Sequence, residues 1–118
     1  MKMRIHNIYA DADGESHIRD LDIEWVHSGP TGKISDPVKV SSMAFRVTDG
    51  SYDLDWHNAP RRQYIVNLEG SVEITTSDGK SRVIGPGEII LAEDTTGKGH
   101  LSKAVAEGPR RSLIIPLT

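Results

Sequence analysis

Two histidines, His57 and His100, lie in polar clusters of the kind that can ligate a metal, bind a ligand or move a proton. The first cluster is Asp55 to Gly70, DWHNAPRRQYIVNLEG, which carries His57, the cationic pair Arg61 and Arg62, and Gln63 beside an apolar run. The second is Glu93 to His100, EDTTGKGH. Imidazole exchanges protons near neutral pH and, when neutral, ligates metals through either ring nitrogen. His100 paired with Asp94 has the composition of a general acid–base unit. A guanidinium forks onto a carboxylate or phosphate, so Arg61 or Arg62 could hold an anionic substrate. Consecutive strand residues face opposite sides, which allows at most one of the two into a pocket. Lys98, between Gly97 and Gly99, is a further candidate for that anion, or pairs with Glu93 and Asp94 to order its loop. The bland reading of His57 is a barrel-mouth residue bonded to a carbonyl. His6, His17 and His27 have no partner spacing and read as structural. Nothing resembles a nucleophile elbow, a dinucleotide glycine pattern or a phosphate loop, since no helix follows Gly97-Lys98-Gly99.

Such side chains need strands to position them. The chain has 118 residues, enough for one domain over 1–118, with 36% hydrophobic and 26% charged residues. Eleven glycines and six prolines favour short strands and tight turns over helices. A net charge of -3 argues against a nucleic-acid binder. With no cysteine there is no disulfide framework and no thiolate site. No apolar segment has the length of a signal peptide or membrane span, so a cytoplasmic protein without a membrane partner is expected.

Strands are expected over Met3–Tyr9, Ser16–Val26, Val38–Val47, Tyr52–Trp56, Gln63–Leu68, Ser71–Thr75, Arg82–Ile84, Glu88–Ala92, Leu101–Ala106 and Ser112–Leu117. Ser28–Pro37, with two glycines and two prolines, reads as a loop. Asp78-Gly79 is a hairpin signal in which both positions are expected at positive φ. This many short strands imply an all-β fold, a closed barrel or jelly roll. Met3–Val26 supplies more strand than a minimal barrel uses. Edge strands seek pairing, so a homodimer is expected.

The order of His57, Gln63, Gly70, Gly85-Pro86-Gly87-Glu88 and His100 resembles the two motifs of the small single-domain cupins. The family's first motif reads G-x5-H-x-H-x3-4-E-x6-G, and its second has a Pro-Gly turn before a strand and one more histidine. Gln63 and Gly70 match the end of the first motif, His57 its first histidine, and His100 the second-motif histidine. The segments HNAPRRQ and EDTTGKGH also resemble an uncharacterised cupin subgroup. The resemblance implies a single antiparallel cupin barrel around a small-molecule pocket, with one divalent transition metal (Fe, Mn, Ni or Zn) on His57, Gln63 and His100. Two departures stand out. Ala59 occupies the second histidine position and Gln63 replaces the glutamate, leaving Asp55 or Asp94 to restore the missing carboxylate. Three readings stay open: a metal-dependent enzyme on a small anionic substrate, a metal-free enzyme using His100 and Asp94, and a non-catalytic binding module anchored by an arginine.

Overall fold

The computed structural model describes residues 3–105 and 107–118. Twelve strands follow one another in these residues, with no helix among them. They are β1 (Arg4–Ala10), β2 (Ser16–Asp22), β3 (His27–Gly29), β4 (Gly32–Ile34), β5 (Ala44–Thr48), β6 (Asp53–His57), β7 (Gln63–Glu69), β8 (Val72–Thr76), β9 (Ser81–Ile84), β10 (Ile89–Ala92), β11 (His100–Ala104) and β12 (Arg110–Pro116). A six-stranded sheet, β2-β1-β10-β7-β12-β5, faces a four-stranded sheet, β6-β11-β8-β9, and β3-β4 is a separate hairpin. This is an all-β jelly roll. No strand ladder joins the two large sheets among the described residues, so side chains close the barrel.

Alternation builds that closure. Ile8 and Ile18 from one side and Val72, Ile74 and Ile84 from the other bury into a common cluster with Ala59, Ile90 and Ala92. Burial of this kind is the main favourable term in folding. At one end the sheets are also stitched by reciprocal bonds at 2.7 Å, the Ser16 amide donating to Ser77 Oγ and the Ser77 amide to Ser16 Oγ. His17 bridges Asp11 and Asp78 nearby. Its hydrogen bond to Asp11 holds the imidazole pKa above its ordinary value.

Five expectations need correction. The segment expected as a loop folds into the β3-β4 hairpin, because Gly32 takes φ +109° and lets the chain reverse. The strand expected over Ser16–Val26 ends at Asp22, and of Val38–Val47 only the part from Ala44 is strand, Val40 adding an isolated bridge to Leu117. At the β8-β9 turn only Gly79 adopts positive φ, at +88°. The ladders are antiparallel except β1-β10, which pair parallel with His6 opposite Ile90. Ala106, the expected last residue of β11's strand, lies outside the described residues.

Outward-facing side chains leave apolar surface on the edge strand β5, where Phe45 is 80% and Val47 71% exposed. No helix among the described residues is long and apolar enough to cross a membrane.

Candidate functional site

The two sheets enclose a cavity of about 420 Å³. Its lining includes His57, Arg61, Gln63 and His100, the apolar Ile8, Ile65, Val72, Ile74 and Ile90, and Arg46, Tyr52, Ser102 and Arg110. Pairing of β6 with β11 sets His57 opposite His100, and the rings sit 4.4 Å apart between centroids, tilted by 56°. Nothing local joins these two histidines; the ladder between the strands does.

Each ring is fixed through Nδ1. His57 Nδ1–H donates to the carbonyl oxygen of Asp55 at 2.7 Å, which assigns the proton, because a carbonyl only accepts. His100 Nδ1 bonds Asp94 Oδ2 at 2.5 Å. Asp94 is 0% exposed, and its Oδ1 has no hydrogen-bond partner among the described residues. A carboxylate so buried depends on its one partner. No further bond engages Nε2 of either ring among the described residues. In the neutral tautomers set by these partners, both Nε2 atoms carry lone pairs.

The two polar clusters are also locked to each other through backbone groups. The Ala59 amide donates to the Asp94 carbonyl at 3.2 Å, and Asn58 Nδ2 donates to the carbonyls of Asp94 and Gly97. Gly99 takes φ +74° directly against the His57 carbonyl. Gly97 packs in the same way on Gly14. These glycines permit close approach of backbone to backbone. They do not free the loop to cradle an anion: the Lys98 amide is already bonded to the Gly14 carbonyl at 2.9 Å.

The expected site residues therefore divide. His57, Gln63, His100 and Arg61 line the cavity, and Asp94 backs His100 from behind. Arg62 does not line it; its guanidinium pairs with Glu93 at 2.7 Å. Arg61 and Arg62 lie in a bend before β7 rather than on the strand, so the bend, not strand alternation, separates them. Lys98 pairs with Glu15 at 2.7 Å, not with Glu93 or Asp94, and is absent from the cavity lining. His6 is buried and bonds Glu88 at 2.8 Å, a structural role as expected.

The carboxylate that would complete a metal set is not supplied by either candidate. Asp94 is turned onto His100 Nδ1, and Asp55 Oδ1 accepts the Trp56 amide at 2.8 Å. No group of three His, Cys, Asp or Glu side chains able to hold a metal ion occurs among the described residues. Two imidazoles and one amide oxygen lack the carboxylate of a two-histidine, one-carboxylate metal site, and the amide oxygen is a weaker donor than the carboxylate it replaces.

Sequence reasoning missed Arg46 and Arg110. Both reach the cavity from the six-stranded sheet, where β5-β12 pairing sets Arg46 opposite Ser112 and Arg110 opposite Thr48. The signal available was alternation: in β12 Arg110, Ser112, Ile114 and Pro116 share one face, and Arg111 points away to Glu69.

No protein-family model matches the chain, and no curated protein matches it. Solved structures do. The chain is similar to protein NMB1881 from Neisseria meningitidis, with TM-score 0.50 and 19% identity over 70% of this chain and 84% of that one. It is also similar to the conserved SPY1581 protein of unknown function from Streptococcus pyogenes (TM-score 0.47, 18% identity, 81% and 96% covered). A third is a putative ethanolamine utilization protein, EutQ, from Salmonella typhimurium (TM-score 0.43, 14% identity, 99% and 97% covered). At these identities the likeness concerns the fold alone.

Proposed function

We propose that this chain binds a small anionic molecule inside its barrel, and that His100, held by Asp94, exchanges a proton with that molecule beside His57. The observation that carries the reading is the pair of facing imidazoles whose Nδ1 atoms are both engaged and whose Nε2 atoms are not. An imidazole oriented by a buried carboxylate keeps one tautomer and presents its other nitrogen as a base. His57 supplies a second acceptor 4.4 Å away, ring to ring, so a ligand hydroxyl or amine can be held between them. Gln63, buried at the same end, offers an amide donor and acceptor for the ligand's orientation. Arg61 is the cation at this mouth of the cavity.

The alternative is a metal-dependent enzyme with Fe, Mn, Ni or Zn on His57, Gln63 and His100. Its support is the bonding of both imidazoles through Nδ1, the arrangement that orients a ligating histidine. Its weakness is an amide oxygen, from Gln63, where a carboxylate would stand.

One experiment separates the two. Tag-free wild type, analysed for metals and titrated calorimetrically with manganese, iron, nickel and zinc, should take up none stoichiometrically. Gln63→Glu supplies the missing charge at the same position and should bind at least about tenfold more tightly. Stoichiometric metal in wild type, lost in His57→Ala and in His100→Ala, would replace the acid–base reading with the metal one.

A further inference from the structure

Four arginines of this chain, Arg4, Arg62, Arg82 and Arg111, pair with carboxylates at the surface. Arg46 and Arg110 have no carboxylate partner among the described residues, and both enter the cavity, as Arg61 does from the bend before β7. Arg110 is only 4% exposed, and its Nε is buried with no hydrogen-bond partner among the described residues. Its guanidinium lies 5.5 Å from the centre of the Tyr52 ring. Arg46 is half-buried and donates from Nε to Ser112 Oγ at 3.2 Å. Among the described residues no Asp or Glu lines the cavity beside them.

Burial lowers the pKa of both groups, and the charge of Arg46 lowers that of Arg110 further. Guanidinium nevertheless stays protonated at neutral pH. Two like charges side by side in a partly desolvated cavity, without a counter-ion, are costly to the fold. The four surface arginines have carboxylate partners, and Arg19 is bonded to Asn7 and stacked on Tyr9. An unpaired buried pair is what an anion-binding end of a cavity requires.

We propose that Arg46 and Arg110 form the anion-binding end of this cavity, and that the ligand is a small carboxylate or phosphate monoester with an apolar body and a hydroxyl or amine at its far end. The apolar body follows from the walls, where Ile8, Ile65, Val72, Ile74 and Ile90 line the same cavity. The length follows from register. Ser112 lies opposite Arg46, and Pro116 lies opposite Gln63. Those positions on β12 are roughly 13 Å apart at strand rise, with side chains reaching inward from both ends. The far-end donor follows from the imidazole acceptors and so rests on the function proposed above; the anion end does not. Tyr52, bonded to Ser102 at 2.7 Å, adds hydroxyls beside the arginines.

The probes are 4-hydroxybenzoate, 4-hydroxybenzamide, benzoate, phenyl phosphate and inorganic phosphate, followed by thermal melting and calorimetry on the full chain. An anion should raise the Tm of wild type, and 4-hydroxybenzamide, which keeps the shape without the charge, should not. Arg46→Met and Arg110→Met should each weaken 4-hydroxybenzoate by about ten- to a hundredfold, the loss expected for a charged hydrogen-bonded contact. Without ligand, Arg110→Met should melt above wild type, because an apolar side chain replaces an unpaired buried charge. Equal binding of the amide and the carboxylate, unchanged affinity in both arginine variants, no stabilisation of wild type by any of the anions, or a lowered Tm in both ligand-free variants would each overturn the subsite. Benzoate binding as tightly as 4-hydroxybenzoate, with the arginine losses intact, would support the subsite while sinking the role given to His57 and His100.

Discussion

Gly99→Ala should cost about 3 kcal/mol or more of stability, whereas Gly79→Ala should cost only about 1, although both glycines adopt nearly the same backbone conformation. Their φ values are +74° and +88°, so the left-handed strain added by a Cβ is shared. What differs is the space. At Gly79 nothing lies within 4 Å of the added atom, while at Gly99 it would overlap the His57 carbonyl oxygen. That carbonyl belongs to β6 at the point where β6 pairs with β11, so it cannot retreat without moving one of the two imidazoles. Chemical denaturation with a two-state fit measures the difference. Equal losses at the two positions would mean that the loop yields and does not fix the site.

The second large effect concerns the buried pair behind the cavity. His100→Ala should destabilise the fold by about 3 kcal/mol, the lower range for removing one partner of a buried pair. Asp94 would then sit fully buried with neither oxygen bonded, since Oδ1 already lacks a partner among the described residues. His57→Ala, which removes a ring bonded only to the exposed Asp55 carbonyl, should cost less. Converting both members together, His100→Leu with Asp94→Leu, should recover much of the stability, because no orphaned carboxylate remains. A double-mutant cycle reads the coupling directly. If the double variant is as unstable as the sum of the singles, Asp94 and His100 do not depend on one another.

How much of this was visible in the sequence varied with distance along the chain. The strand β7 and its ends were legible because Gln63 and Gly70 bracket an apolar run, and Gly70 at φ +79° makes the turn into β8. The imidazole pair was legible only through the cupin resemblance, since the contact of His57 with His100 is made by strand pairing rather than by spacing. The partners of the charged side chains were less legible. Lys98 lies next to Glu93 and Asp94 in sequence, yet its chain segment docks on Gly14, which brings Glu15 to it. Glu93 is taken by Arg62, and Asp94 by His100. Alternation along β12 was the signal for Arg110, but it did not show that Arg46 shares its cavity. FRVT and PRRS read as ordinary strand ends, and only the β5-β12 register puts both guanidiniums into one cavity. The short β3-β4 hairpin was hidden by the glycines and prolines that also make its turn.

The proposed chemistry depends on the state of two ring nitrogens. Side-chain nitrogen NMR on tag-free protein at neutral pH reports which nitrogen of each of the five histidines carries the proton. His57 and His100 should both show protonated Nδ1 and unprotonated Nε2, the tautomer set by the Asp55 carbonyl and the Asp94 carboxylate. On titration with 4-hydroxybenzoate their Nε2 signals should shift, and those of His6, His17 and His27, which lie outside the cavity lining, should stay in place. Protonated Nε2 on either ring with Nδ1 bare, or an unmoved pair under a ligand that calorimetry shows to be bound, would contradict a cavity that reads its ligand through His57 and His100.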